Sequence, residues 1–180
     1  MHMCEALIAV YEARRDPAIL QRAVNVARRL TVELCAPSTG SNGWVIEHYT
    51  LDWVPDPLKN KDADPLSEEY IFRPPGFQPG HAAEWAKLLL LLERHCKEAA
   101  AASMMRNLGR VEAGVVPEYE WMLPRARELF GLVVGQGWDS KLGGLAYLVD
   151  ETGTIRDGNK YYWALAEGIA AAGLLFVRCS

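Results

Sequence analysis

Polar and apolar positions divide this chain into helices of two kinds. Met1 to about Arg14 reads as a helix with no capping residue ahead of it. Asp16-Pro17 then supplies an N-cap and a proline at the first helical position. Ile19, Ala23, Val26, Ala27, Leu30 and Leu34 recur at helical spacing, with Gln21, Arg22, Asn25, Arg28 and Arg29 filling the other face. This pattern predicts an amphipathic helix with one wet side. Helices of the second kind have little polar surface. One follows Gln78-Pro79-Gly80 and runs to about Cys96, carrying Ala82, Ala83, Trp85, Ala86 and the run Leu88 to Leu92. Another spans Lys160 to about Val177. A helix apolar nearly all round has to be enclosed on all sides.

Between these helices the pattern breaks. Cys35 to Pro79 holds Pro37, Pro55, Pro57, Pro65, Pro74, Pro75 and Pro79. Within it, Trp44-Val45-Ile46-Glu47 and His48 to Trp53 read as short strands. A connection of roughly 45 residues far exceeds the usual loop, and loops of that length are often functional. Ala99 to Val116 reads as a helical extension or an insertion. Pro124 falls in the first turn of a further helix whose apolar face is Leu129, Phe130, Val133 and Val134. Gly143-Gly144 and Leu145 to Val149 read as a turn and a strand, and Asp150 to Gly158 as a turn-rich link. Alternating amphipathic and enclosed helices suit two concentric helical layers with long loops at one end.

Composition narrows the function classes. The chain has 180 residues, 50% of them hydrophobic, with 19 Lys+Arg against 23 Asp+Glu and a net charge of −4. No basic patch stands out to neutralise phosphates, so a nucleic-acid partner is not expected. No basic segment followed by an apolar one opens the chain, and Trp163 to Val177 is short for a membrane span and interrupted by Glu167. No membrane partner is expected. Cys4, Cys35, Cys96 and Cys179 are widely spaced and form no CxxC pair. They read as free thiols of a cytoplasmic protein.

Three sets of residues carry candidate chemistry. His81-x-x-Glu84 places both side chains on one face of a helix start. There the positive end of the helix dipole disfavours imidazolium, which leaves the neutral ring that a general base near pH 7 requires. Glu84 would orient the ring or share the proton transfer. Spacing alone favours the plainer reading, a helix-start histidine with a surface partner. His2-x-x-Glu5 repeats the spacing on another helix. Di-metal bundles put glutamate before histidine and need further carboxylates, so the order here does not point to metal. The third set is Glu47, Asp52, Glu84 and Glu167, of which Glu167 is unusual in lying within an apolar helix. Two opposed carboxylates would suit glycoside hydrolysis. Trp44, Trp53, Trp85, Trp138 and Trp163 offer ring faces for a sugar, though most tryptophans are core residues.

Thr50-Leu51-Asp52-Trp53, followed by Phe72-Arg73-Pro74-Pro75-Gly76-Phe77-Gln78-Pro79-Gly80-His81-Ala82-Ala83-Glu84-Trp85, resembles the N-acylglucosamine 2-epimerase superfamily, above all its mannose isomerase branch. His2 to Ala6, Gly137-Trp138-Asp139, Gly143-Gly144-Leu145 and Lys160 to Glu167 extend the resemblance in family order along nearly the whole chain. It implies an all-α architecture, a partial (α/α)6 barrel of inner and outer helices with a long loop and short β-strands. In that family two histidines move a proton at the carbon beside a sugar carbonyl, giving an aldose–ketose isomerase or a 2-epimerase without metal or other cofactor.

The resemblance assigns the first catalytic histidine to His81 and its assisting glutamate to Glu84. It assigns sugar-hydroxyl binding to His2, and Trp163 and Glu167 to a later inner-helix motif. Trp44, Trp163 and Glu167 join His2 as expected substrate-binding residues. The expected ligand is a monosaccharide or small oligosaccharide.

Several positions depart from the family pattern. Pro75 stands where tryptophan is common, Ala82 and Ala83 replace larger residues, and Tyr162 and Leu165 replace frequent Trp and Gln. By length, residues 1–180 are expected to form a single partial toroid lacking N-terminal helices and the last inner helix with its second catalytic histidine. Its apolar helices would then be partly uncovered, and a companion chain or a second copy is expected to cover them. The alternatives are a catalytically incomplete or merely sugar-binding remnant of the same fold, and a glycosidase on a similar barrel.

Overall fold

A computed structural model describes residues 1–35, 40–64, 66–107 and 117–180. The molecule is mostly helical with few strands. α1 (His2–Arg14) buries Cys4, Ile8 and Tyr11, one stripe of its surface. α2 (Pro17–Thr31) begins as the sequence predicts: Asp16 is the N-cap, its carboxylate accepts from the Ala18 amide at 2.9 Å, and Pro17 opens the helix. Leu20, Ala23, Val24, Ala27 and Thr31 form its inner face.

α4 (Pro79–Asn107) is the organising element and packs against α1, α2, α5 and α6. Ala82, Ala83, Trp85, Ala86, Leu88, Leu89, Leu90, Leu92 and Cys96 are all buried, the enclosure its apolar circumference requires. It continues as one helix well past the expected end near Cys96. The expected extension beyond Asn107 lies outside the described residues, as do Pro37 and Pro65. α5 (Met122–Leu132) contains Pro124 in its first turn and leads into a π turn over Val133–Gly137. α6 (Tyr162–Cys179) rests on α4 and α5. Only Ala164 and Ala171 of α6 are buried, whereas Ile169, Phe176 and Val177 are two-thirds exposed or more. Its 18 residues reach the bare length and apolarity of a membrane-crossing helix, which corrects the sequence reading of this stretch as too short.

The long connection differs from expectation in two ways. Trp44 to Trp53 does not form the expected strands. Trp44, Val45 and Ile46 are buried consecutively rather than alternately, which a strand of a one-sided sheet would not do. The single bridge there, Tyr49 to Pro55, closes a hairpin-like turn. The connection also contains a short helix, α3 (Glu68–Phe72), capped by Ser67, whose hydroxyl accepts from the Tyr70 amide. β1 (Leu148–Val149) pairs antiparallel with β2 (Ile155–Asp157), which falls in the stretch read as a turn-rich link.

Candidate functional site

The start of α4 is held from three sides. Gly76 has φ +95°, and a Cβ there would lie 2.5 Å from the Val149 carbonyl oxygen. Glycine is therefore needed for Phe77 to exchange both backbone hydrogen bonds with Val149, each 2.9 Å. Phe77 in turn stacks on Trp44, ring centroids 6.2 Å apart. The Trp44 indole N–H donates to Gln136 in the π turn at 3.2 Å. Arg125 of α5, itself buried, donates to the carbonyls of Thr31 and Gly43 at 2.6 Å each and pairs with Glu128 at 2.7 Å. This fastens the segment that carries Trp44 and Glu47.

His81 stands in the first turn of α4 at the meeting of two cavities. One, about 330 Å³, is lined by His2, Glu5, His81, Glu84, Trp163 and Glu167. The other, about 360 Å³, shares His2 and His81 and adds Glu47, Tyr49, Trp53 and Trp85. Together they are the size of a small-molecule cleft. The structure thus brings together five of the six residues singled out from the sequence. It does not bring Trp44. That side chain is 1% exposed, its face covered by Phe77 and its N–H occupied by Gln136. Trp44 is a core residue, which corrects its expected role in binding substrate.

The ring partner of His81 also differs from expectation. Glu84 lies on the same helix face but makes no hydrogen bond to the imidazole among the described residues. Glu47 does: its Oε2 is 2.8 Å from His81 Nδ1, and its Oε1 accepts from the Gln78 amide at 3.2 Å. The sequence held Glu47 only as one of several loop carboxylates, because a partner 34 positions away leaves no spacing signal.

Electrostatics correct the second expectation for His81. Burial is the largest influence and presses the ring towards its neutral form. The charge and hydrogen bond of Glu47, with the charge of Glu84, outweigh it. The net effect raises the His81 pKa above the ordinary histidine value. The helix dipole does not dominate, because a carboxylate in direct contact acts at shorter range and in a drier setting.

Glu84 is 5% exposed, and its carboxyl is pushed upward, first by burial and then by the nearby charge of Glu167. Lys87 Nζ lies 2.6 Å from Glu167 Oε2 and 3.9 Å from Glu5, offsetting part of this negative charge. His2 is largely exposed, with Nδ1 3.5 Å from Glu5 and 3.8 Å from Glu84. Ligand atoms of His2, Glu5 and Glu84 fall within 4.8 Å of one another, so these three could gather round a cation, or equally round a hydroxyl-rich ligand. Trp163 faces His81, ring centroids 5.2 Å apart. A Cβ on Gly80 would come within 2.6 Å of the Trp163 ring.

The remaining candidates lie elsewhere. His48 Nε2 is 3.0 Å from the Pro74 carbonyl, in the loop. His95 lies towards the other end of α4, 2.9 Å from Glu12 and 3.4 Å from Glu98. Asp52 is exposed and lines neither cavity.

Comparison with known proteins gives a consistent picture. The family model described as N-acylglucosamine 2-epimerase (GlcNAc 2-epimerase) matches residues 1–179. A D-mannose isomerase from Marinomonas mediterranea is 40% identical over 176 residues, covering 98% of this chain and 38% of that protein. A D-mannose isomerase from Thermobifida fusca is 31% identical over 180 residues, covering 99% of this chain and 38% of that protein. A crystal structure of D-mannose isomerase superposes with a TM-score of 0.79 at 40% identity, again covering 98% of this chain and 38% of that one. The chain therefore spans well under half the length of these relatives.

Proposed function

The chain belongs to the N-acylglucosamine 2-epimerase family, and from that membership we propose that it is the portion of a sugar isomerase that holds a proton-transfer base. The substrate is an aldose of the mannose type, and the reaction is aldose–ketose isomerisation or 2-epimerisation at C2. His81 is the acid/base. It takes the proton from C2, beside the carbonyl, and the electron pair left behind delocalises into the carbonyl to give an enediolate, whose O1 takes up a proton to form the enediol. Delivery of the proton to C1, with loss of the O2 proton so that the carbonyl forms at C2, gives the ketose. Protonation of C2 on its opposite face, by a second acid that the completing helices would bring, gives the epimer. Glu84 assists from one turn along α4. His2, Trp163 and Glu167 bind sugar hydroxyls and one ring face.

The observation that carries this reading is the setting of His81. Its Nδ1 is hydrogen-bonded to Glu47, no described protein group is hydrogen-bonded to Nε2, and the ring lines both halves of one cleft. A base needs that free nitrogen within reach of the proton it removes. The D-mannose isomerases among its relatives support the choice of substrate.

Residues 1–180 form a single partial (α/α)6 toroid in this reading. The exposed face of α6 and the 38% coverage of the relatives favour completion by further helices, brought by a companion chain or a second copy. Three buried cysteines and one exposed, all free, fit a reducing cytoplasm.

The test is proton NMR of the protein with mannose, then glucose, in D2O. Loss of the C2–H signal that disappears in His81→Asn is the expected result. Exchange that persists in His81→Asn would overturn the assignment of the base. Release of reducing ends from a disaccharide by that variant would favour a glycosidase instead.

A further inference from the structure

The cleft contains one polar contact to which the chemistry above gives no role of its own: the carboxylate of Glu47 at the Nδ1 edge of the His81 ring. Its side chain is 11% exposed and both of its oxygens are engaged, Oε2 with His81 Nδ1 at 2.8 Å and Oε1 with the Gln78 amide at 3.2 Å. An ionised carboxylate only accepts hydrogen bonds, so the ring nitrogen facing it must be the one that bears hydrogen. A neutral imidazole with its proton on Nδ1 carries its lone pair on Nε2.

We propose that Glu47 is the positioning residue of this site, fixing His81 in the Nδ1–H tautomer and the orientation that presents a basic Nε2 to the sugar. This rests on the reading of His81 as the acid/base.

Three observations favour Glu47 over other groups near the ring. Around His81 stand Glu47, Glu84 on α4, His2 and the amino terminus at the start of α1, and Trp163 with Glu167 on α6. Among the described residues, Glu47 alone is within hydrogen-bond distance of the imidazole. Glu47 is also rigidly mounted. It follows Trp44, Val45 and Ile46, all buried, and that segment is tied down by Gln136 and Arg125. Finally, the Gln78 contact places the same carboxylate at the amino end of α4, where backbone N–H groups lack helical partners. One side chain thus sets both where α4 begins and how its histidine points. The raised basicity of His81 agrees with a carboxylate held at this distance.

The experiment is long-range 1H–15N NMR of the histidine rings in the full chain, with His81 assigned by its loss in His81→Asn. The wild type is expected to show the neutral ring protonated on Nδ1. Glu47→Gln is expected to lower the titration midpoint of His81 and mix its tautomers. It should also reduce kcat for C2 exchange by about 100-fold with little change in KM. Glu47→Asp keeps the charge and should recover part of the loss, which a purely structural role would not predict. A wild-type ring protonated on Nε2, or a tautomer and midpoint unchanged in Glu47→Gln, would overturn the proposal. The wild-type tautomer needs no variant to fold. If the tautomer is as expected but no protein exchanges C2–H, the proposed function fails while the Glu47–His81 coupling stands.

Discussion

Trp163 lies so close over Gly80 that a single added carbon would sit 2.6 Å from its ring and 2.7 Å from the Cβ of Ala164. The start of α4 and the start of α6 therefore meet at a position that only glycine can occupy, beside His81. Gly80→Ala must push α6 outward or tilt Trp163. Overpacking of this kind costs about 1–3 kcal/mol, so the thermal midpoint should fall by roughly 5 °C. Circular dichroism melting checks this, and an unchanged midpoint would show that the contact yields freely.

Arg125 joins α5 to the end of α2 and to Gly43 through two backbone carbonyls and Glu128. Arg125→Met leaves two carbonyls in the interior without their donor. Glu128 is exposed and can be solvated, so the loss is that of stranded carbonyls, about 1–3 kcal/mol. The urea midpoint should fall accordingly. Arg125→Lys should rescue only part of it, because one ammonium cannot span the positions reached by a guanidinium fork. A loss under about 1 kcal/mol in the Met variant would contradict this account.

Glu84 should make the protein less stable as pH rises. Its folded pKa lies above the unfolded value, chiefly through burial. The folded state therefore binds the proton more tightly, and that stabilisation is complete below the unfolded pKa. It is lost as pH climbs through the folded one. Glu84→Gln removes the burden of an ionised buried carboxylate. Its midpoint should exceed the wild type's at pH 7 by about 2 °C, and the gap should close at pH 4. A gap that widens on acidification would reverse the sign argued here.

The uncovered face of α6 should make the isolated chain self-associate. Ile169 is 66% exposed, and Phe176 and Val177 are 76% exposed. Apolar patches of this kind rarely stay bare in solution. Sedimentation velocity should show concentration-dependent association, and Ile169→Glu with Phe176→Glu should restore monomers with little change in melting. A wild type that stays monomeric at high concentration would remove the case for a covering partner.

Much of this molecule was legible from its residue pattern. Asp16-Pro17 marked the start of α2 because a cap and a proline act locally, and the apolar circumference of residues 82–92 announced a helix enclosed by neighbours. Motif order identified the family and most of the cleft. Non-local features were not legible. Glu47 could not be matched to His81 across a proline-rich connection, since carboxylates on loops look alike until folding selects one. Trp44 looked like a sugar platform because composition does not reveal which aromatic faces another ring. The strands expected at Trp44 to Trp53 failed for the same reason: among the described residues that stretch pairs only through the bridge of Tyr49 to Pro55, which completes no ladder.

The long connection is fastened to the cleft at several points along its length. Glu47 is fixed to the amino end of α4 at one end, and Gly76-Phe77 to Val149 at the other. Between them, His48 is hydrogen-bonded to the Pro74 carbonyl, the Gly76 amide to the Pro57 carbonyl and the Tyr147 hydroxyl to the Ile71 carbonyl, so the hairpin turn at Tyr49 and α3 are tied back to the same frame. Substitutions at the exposed Trp53, which lines the cleft, would reshape its mouth while leaving the Glu47–His81 contact in place. In the proposed isomerase, the loop would then tune which sugar is admitted while the proton chemistry at His81 stayed fixed, and variation in substrate range is expected to concentrate there.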